Sequence, residues 1–183
     1  ILSKIKAKDG VYSVLGNHDY SAYSNFPDSI QWKYVEELKS RQRDMGWNLL
    51  LDENVNIVRD EDTISLIGVK NISTHRTFLS YGNLQNAMQD ANGSYKILLS
   101  HDPTHWELEV KDNPEIDLML SGHTHAMQFS IFGWSPSSFI FKEVAGLFRH
   151  ENQYLYVNIG LGETVMKARI GTKPEITVIC LHG

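Results

Sequence analysis

Three short apolar runs, at residues 11–15, 97–99 and 116–120, each stop at a small group of polar residues: Gly16-Asn17-His18-Asp19, then Ser100-His101, then Gly122-His123-Thr124-His125. A continuous apolar run of a few residues bounded by turn formers reads as a buried strand. Strands with chemistry at their carboxyl ends point to an α/β class, because in an open sheet those ends share one edge and their loops line a single crevice. Residues far apart in the chain then meet: the imidazoles of His101, His123 and His125, the amide oxygen of Asn17, and His18 beside it.

That donor set points to bound cations. Neutral imidazole is a good ligand for zinc, iron and nickel, amide and carboxylate oxygens suit harder ions such as manganese, and a mixed set fits borderline divalent metals. A two-metal hydrolytic centre is the natural user of it. His123 and His125 stand two residues apart, so in extended chain both rings project to one side and Thr124 to the other.

Taken in order, the three motifs resemble the last three of the calcineurin-like metallophosphoesterase family. The likeness runs nearly end to end: residues 11–20, Gly160-Leu161-Gly162 and Lys173-Pro174-Glu175-Ile176-Thr177 are similar to a bacterial branch often attached to a membrane. In that branch two glycines and a glutamine follow the double histidine, whereas Ala126-Met127-Gln128 keeps only the glutamine. The family pattern opens with an Asp-x-His motif and a Gly-Asp motif, which provide most of the first ion's ligands and a bridging carboxylate. Neither occurs in this chain.

The resemblance therefore implies the carboxyl-terminal part of a larger enzyme. The fold expected is a four-layer α-β-β-α metallophosphoesterase sandwich lacking its N-terminal β-α-β segment, as one domain over residues 1–183. Asn17, His101 and His123 are implied as ligands of the second ion and His125 of the first. His18 is implied as the general acid, with Asp19 orienting its ring. The reaction implied is hydrolysis of a phosphate ester by hydroxide activated between two divalent ions of the Mn, Fe, Zn or Ni class. This chain alone is expected to hold at most one partly filled metal position and to show weak activity or none. The rival readings are a non-catalytic phosphoesterase-fold scaffold, in which loss of the general acid or some ligands is expected, and a membrane-associated module built on the aromatic region at 126–150.

Composition narrows the partners. A formal net charge of -5 over 183 residues argues against a broad nucleic-acid-binding face, since phosphate-backbone affinity comes mostly from clustered Lys and Arg. No run approaches the roughly 20 apolar residues that cross a bilayer, so a membrane-spanning anchor of a parent protein is expected to lie upstream of Ile1. The sheet edge uncovered by the missing segment is expected to pair in a homodimer. Cys180, the one cysteine, sits in an apolar run and reads as a small buried core residue that leaves the compartment unknown.

The rest of the chain reads as scaffold. A loop at 20–28 leads to a helix capped by Asp28 or Ser29 and stopped by Gly46, with Ile30, Tyr34, Val35, Leu38 and Met45 facing inward. Strands are expected at 49–51, 55–58 and 64–69, with solvated acidic turns at 52–54 and 60–62. The loop at 70–82 is expected to border the site, with His75 and Arg76 read as surface residues. A short helix at 83–91 precedes the strand at 95–100. A second, at 104–110, turns Trp106 inward and leaves His105 on its surface. Further strands are expected at 154–159 and 176–181. Between 126 and 150, Met127, Phe129, Ile131, Phe132, Trp134, Phe139, Phe141, Leu147 and Phe148 accumulate with few charges. They read as cover for the core, with an apolar lid or membrane-facing surface as the sharper reading.

Overall fold

Alternating and continuous apolar stretches pair edge to edge, and the helices between them cover what the strands leave bare. A computed structural model describes residues 2–20, 23, 25–164 and 166–182; Ile1, and Ser21, Ala22 and Ser24 of the loop expected at 20–28, lie outside them. Strand β1 (Tyr12–Ser13) pairs in parallel with β2 (Asn48–Leu49), and the connection between them contains helix α1 (Asp28–Asp44). Pro27 makes the entry to α1, with no side-chain cap. The helix buries Val35 and packs Leu38 on Leu15, Tyr20 and Leu49, while Ile30 and Tyr34, expected inside, stay exposed. The two-residue strands beneath it are too short to cover its first turns.

Six further strands form the main sheet. They are β3 (Glu53–Arg59), β4 (Asp62–Gly68), β5 (Tyr95–Leu99), β6 (Leu118–Ser121), β7 (Gly146–His150) and β8 (Gln153–Val157), in the order β3-β4-β5-β6-β8-β7. The central four run parallel, and an antiparallel hairpin closes each edge. The acidic turn expected near 60–62 is the two-residue tip of the first hairpin, with Arg59 opposite Asp62. Helices α2 (Leu84–Ala87) and α3 (Thr104–Leu108) lie in the connections, and Leu84, Ala87, Trp106 and Val110 pack with Ile67, Leu98, Met119 and Leu155 of the sheet.

Successive strand residues face opposite sides. Ile67 faces the helices, and its neighbour Gly68 meets the small sheet so closely that a Cβ there would lie 2.4 Å from Leu50 Cβ. Four layers result: α1, the two-stranded ladder, the six-stranded sheet, then α2 and α3. This mixed α/β sandwich agrees with the expected class.

Two expectations near the carboxyl end fail. Residues 176–181 form no strand, and Cys180 is exposed rather than buried. The segment is pinned through Glu175, whose carboxylate accepts the Ile159 amide, and Thr177, which accepts from Asn158. Beyond those ties no ladder partner meets it among the described residues, and Ile176 and Val178 are 80% and 84% exposed. Strand β7, conversely, arises inside the aromatic stretch. No helix among the described residues is long and apolar enough to cross a membrane.

Candidate metal centre

The turn after β1 and the loops leaving β5 and β6 reach the same end of the sandwich. There Asn17 Oδ1, His101 Nε2 and His123 Nδ1 form a nearly equilateral triangle. Asn17 Oδ1 lies 3.0 Å from His101 Nε2 and 3.1 Å from His123 Nδ1, and the two ring nitrogens are 3.2 Å apart. A tetrahedral ion bound at about 2.0–2.1 Å keeps its ligand atoms about 3.4 Å from one another. Three donors from three distant loops are thus spaced for one shared cation.

The sequence brings them together through close packing. Gly16 lies under the His101 ring, where a Cβ would come within 2.6 Å of it, so no other residue fits without moving the imidazole. Asn17 is buried, and its Nδ2 donates to Tyr23 Oη at 2.8 Å, which leaves Oδ1 to face the ring nitrogens. Burial pushes His101 down to about 3, with the charge of His123 as the next cause, and burial likewise lowers His123. Both rings are therefore neutral near pH 7, the form that binds metal. Among the described residues no three His, Cys, Asp or Glu side chains converge on one point; the amide of Asn17 completes the set.

Asp102 stands behind His123. It is fully buried, and its Oδ1 accepts from the Thr104 amide at 2.9 Å and the Thr104 hydroxyl at 2.8 Å. Its Oδ2 has no hydrogen-bond partner among the described residues and lies 3.6 Å from His123 Nε2. A carboxylate behind the non-ligating nitrogen holds a metal-binding imidazole in orientation. The sequence offered only one signal for this role, the adjacency of Asp102 to His101. His105, expected on the helix surface, is buried as well, bonded at 3.0 Å to Ser100 Oγ and at 3.0 Å to Glu109 Oε2. It braces the end of β5 because α3 packs that side of the helix inward with Trp106.

His18 and His125 line the same cavity of about 380 Å³ as His101 and His123, with Gly16, Asp19, Glu163 and Thr164 completing its wall. His125 stands outside the donor triangle. The expected extended pairing of His123 and His125 is replaced by a tight turn: φ is 67° at His123 and -67° at Thr124, and a left-handed coil follows, with 47° at His125, 48° at Ala126 and Met127, and 56° at Gln128. Gln128 anchors this coil, its buried amide donating to Met166 O at 2.6 Å and Ala168 O at 2.5 Å. Thr124 ties it from the other side by donating to Val144 O at 2.7 Å. Burial lowers His125, and the nearby Arg169, whose Nη2 is 3.3 Å from His125 Nδ1, lowers it further.

Asp19 Oδ2 accepts the Gly16 amide at 2.8 Å, closing the turn that presents Asn17 and His18, and burial raises its carboxyl. The His18 ring packs 4.8 Å from that of Tyr23. The loop at 70–82 reaches the site through Phe78, whose ring meets His123 edge-on at 4.6 Å, while His75 and Arg76 are exposed. Phe78 and Tyr23 sit in polar stretches without periodicity, so no pattern singled them out.

Residues 1–127 match the family described as calcineurin-like phosphoesterase. YkoQ of Bacillus subtilis (strain 168), an uncharacterized metallophosphoesterase, is 30% identical over 184 residues, covering 96% of this chain and 62% of that protein. A transmembrane protein with metallophosphoesterase domain from Bos taurus is 29% identical over 189 residues, covering 100% of this chain and 41% of its own length. The chain thus spans between about two fifths and three fifths of these two curated relatives. Among solved structures, the sulfate thiohydrolase SoxB of Thermus thermophilus, in complex with glycerol, superposes with a TM-score of 0.50 at 18% identity, over 80% of this chain and 27% of that one. At that identity the likeness concerns the fold.

Proposed function

Because the chain belongs to the calcineurin-like phosphoesterase family, we propose that it carries part of a metal-dependent phosphoesterase centre, with a divalent cation held by Asn17, His101 and His123. The donor triangle of 3.0–3.2 Å is the observation that carries this reading. His125, on the wall of the same cavity, is the one residue here assigned to a second ion. Bound there, divalent ions of the Mn, Fe, Zn or Ni class supply Lewis-acid polarisation of a phosphate oxygen and lower the pKa of water.

The chain's own groups do the rest. His18, which lines the cavity, gives a proton to the leaving alkoxide as the P–O bond breaks, which leaves a neutral alcohol and a neutral imidazole. Asp19 holds the turn that presents His18 through the Gly16 amide. Asp102 keeps His123 turned so that Nδ1 faces the cavity. Phe78 and Tyr23 flank the rings and limit water around them.

Manganese titrated calorimetrically into the chain tests the cation site. One site is expected, with affinity falling by more than about 100-fold in His101→Ala; no binding, or binding indifferent to that change, overturns it. For turnover, the family's Asp-x-His and Gly-Asp motifs are grafted upstream and cleavage of an aryl phosphodiester is followed. His18→Ala is expected to keep the metal and lose about 10²–10⁴-fold in rate. A scaffold shows no turnover to lose.

A further inference from the structure

From residue 126 to residue 141 the chain carries no charged side chain. Sixteen uncharged residues rich in Phe, Ile and Trp ordinarily go inside. Here much of the stretch is held outside. Ile131 and Trp134 exchange both backbone bonds, at 2.9 Å and 3.0 Å, around a two-residue tip of Phe132 (φ 50°) and Gly133 (φ 82°). Left-handed conformation at both tip residues is a tight hairpin turn of the primed type. Phe132 is fully exposed at its end, Phe139 is 82% exposed, and Ile131, Trp134 and Ile140 are each about half exposed.

This exposure is built. Ser135, buried, donates to Ala126 O at 2.6 Å, and its hydroxyl meets that of Ser137, also buried, at 2.8 Å. The Trp134 and Phe139 rings meet edge to face at 5.8 Å. The base is thereby fastened to the double-histidine loop while the apolar tips point away. Beside it runs a second strip: Ser130 donates to Ile170 O and Ile170 to Gln128 O, each at 2.8 Å. That strip adds exposed Met166 and Ile170 and two exposed lysines, Lys167 and Lys173, while Arg169 turns inward to the backbone oxygens of Ile159, Gly160 and Gly162, and Glu163 and Glu175 flank the segment. In a chain of net charge -5, two exposed lysines thus stand on the strip beside an apolar knob.

We propose that residues 131–140 dock into the interfacial zone of an anionic lipid bilayer, with Lys167 and Lys173 facing the headgroups. Tryptophan favours that zone, phenylalanine buries at its acyl boundary, and lysines near an anionic surface strengthen the attraction. A knob suits a fluid surface, which needs no matching pocket. Strand addition by a protein partner suits it poorly, because Ile131 and Trp134 already satisfy each other's backbone groups. Docking of this knob does not depend on hydrolysis at the neighbouring site.

Flotation of the chain with vesicles tests this, using phosphatidylcholine alone and phosphatidylcholine mixed with phosphatidylglycerol. Binding to the mixed vesicles is expected. Phe132→Ser combined with Phe139→Ser is expected to weaken it by about tenfold or more, with an unchanged thermal midpoint. Lys167→Glu with Lys173→Glu is expected to remove the preference for anionic vesicles. The difference in tryptophan emission between the unaltered chain and Trp134→Phe is expected to shift to the blue on binding. Binding that survives the double Phe substitution, charge reversal without effect, or no binding at all overturns the proposal. So does self-association in sedimentation that the Phe substitutions abolish while vesicles are ignored.

Discussion

Two neighbouring regions of this molecule invert the usual rule of burial in opposite senses. At the ends of β1, β5 and β6 the buried side chains are polar: Asn17, Asp102 and His105 are almost wholly enclosed. Past the double-histidine loop, the exposed side chains are apolar: Phe132, Phe139 and Ile131. A buried polar group costs stability unless it is bonded, and an exposed apolar group forgoes the gain of burial. Each region therefore holds something that folding alone does not call for. The first reads as a place for a cation and the second as a place for a surface.

The contrast can be broken hardest at Gly16. Gly16→Ala places a methyl 2.6 Å from the His101 ring and pushes the imidazole out of the triangle. Cation affinity is expected to fall by more than about 100-fold, and stability by about 1–3 kcal/mol, read by calorimetry and a denaturant melt.

Acid attacks the same region. His101, His123 and His125 all lie below the usual histidine value, first because of burial. A histidine lowered in the fold takes up its proton more readily when unfolded, so stability is full above the unfolded pKa and drains away as pH falls. The loss is expected to begin near pH 6.5 and run toward the value of about 3 held by His101. It amounts to roughly 2–4 kcal/mol, after allowance for partial exposure of the rings, and is measured by unfolding titrations across that range. A metal ion that fills the triangle is expected to steepen the loss.

Asp102→Asn sharpens the comparison from behind the ring. Cation affinity is expected to drop about 10–100-fold, because the carboxylate that steadies His123 is gone. Smaller still is Met127→Gly. Met127 holds φ at 48°, a conformation that costs a side-chain-bearing residue roughly 1 kcal/mol and glycine almost nothing. A gain of about that size in the thermal melt is expected, after the entropy of the added glycine is allowed for. Smallest is Phe132→Ser, expected to change stability by less than about 0.5 kcal/mol, since the ring touches solvent. A larger loss there would mean that the knob is packed and the contrast is false.

Much of the first region was legible in the sequence, and little of the second. Apolar runs ending in glycine and histidine placed Asn17, His18, His101, His123 and His125 at strand ends, because short apolar runs bounded by turn formers mark buried strands and the crevice follows from parallel order. The burial of Asp102 and His105 was hidden, since it depends on which face α3 presents to the sheet. The left-handed coil at 125–128 was hidden as well: Ala126 and Met127 stand where φ is positive, and neither residue type signals that. Residues 176–181 misled in the other direction. Their apolar run looks like a strand, but a strand needs a neighbour, and pairing is a property of the whole sheet. The aromatic stretch at 126–150 read as core because composition says what a residue prefers and not where the chain holds it.

The donor triangle is tested most directly by crystals grown with manganese or zinc, with data collected at the metal's absorption edge. One anomalous peak is expected at about 2.0–2.2 Å from Asn17 Oδ1, His101 Nε2 and His123 Nδ1 together. Saturating metal with no peak among those three atoms, or a peak bound elsewhere while they stay empty, would contradict the cation site.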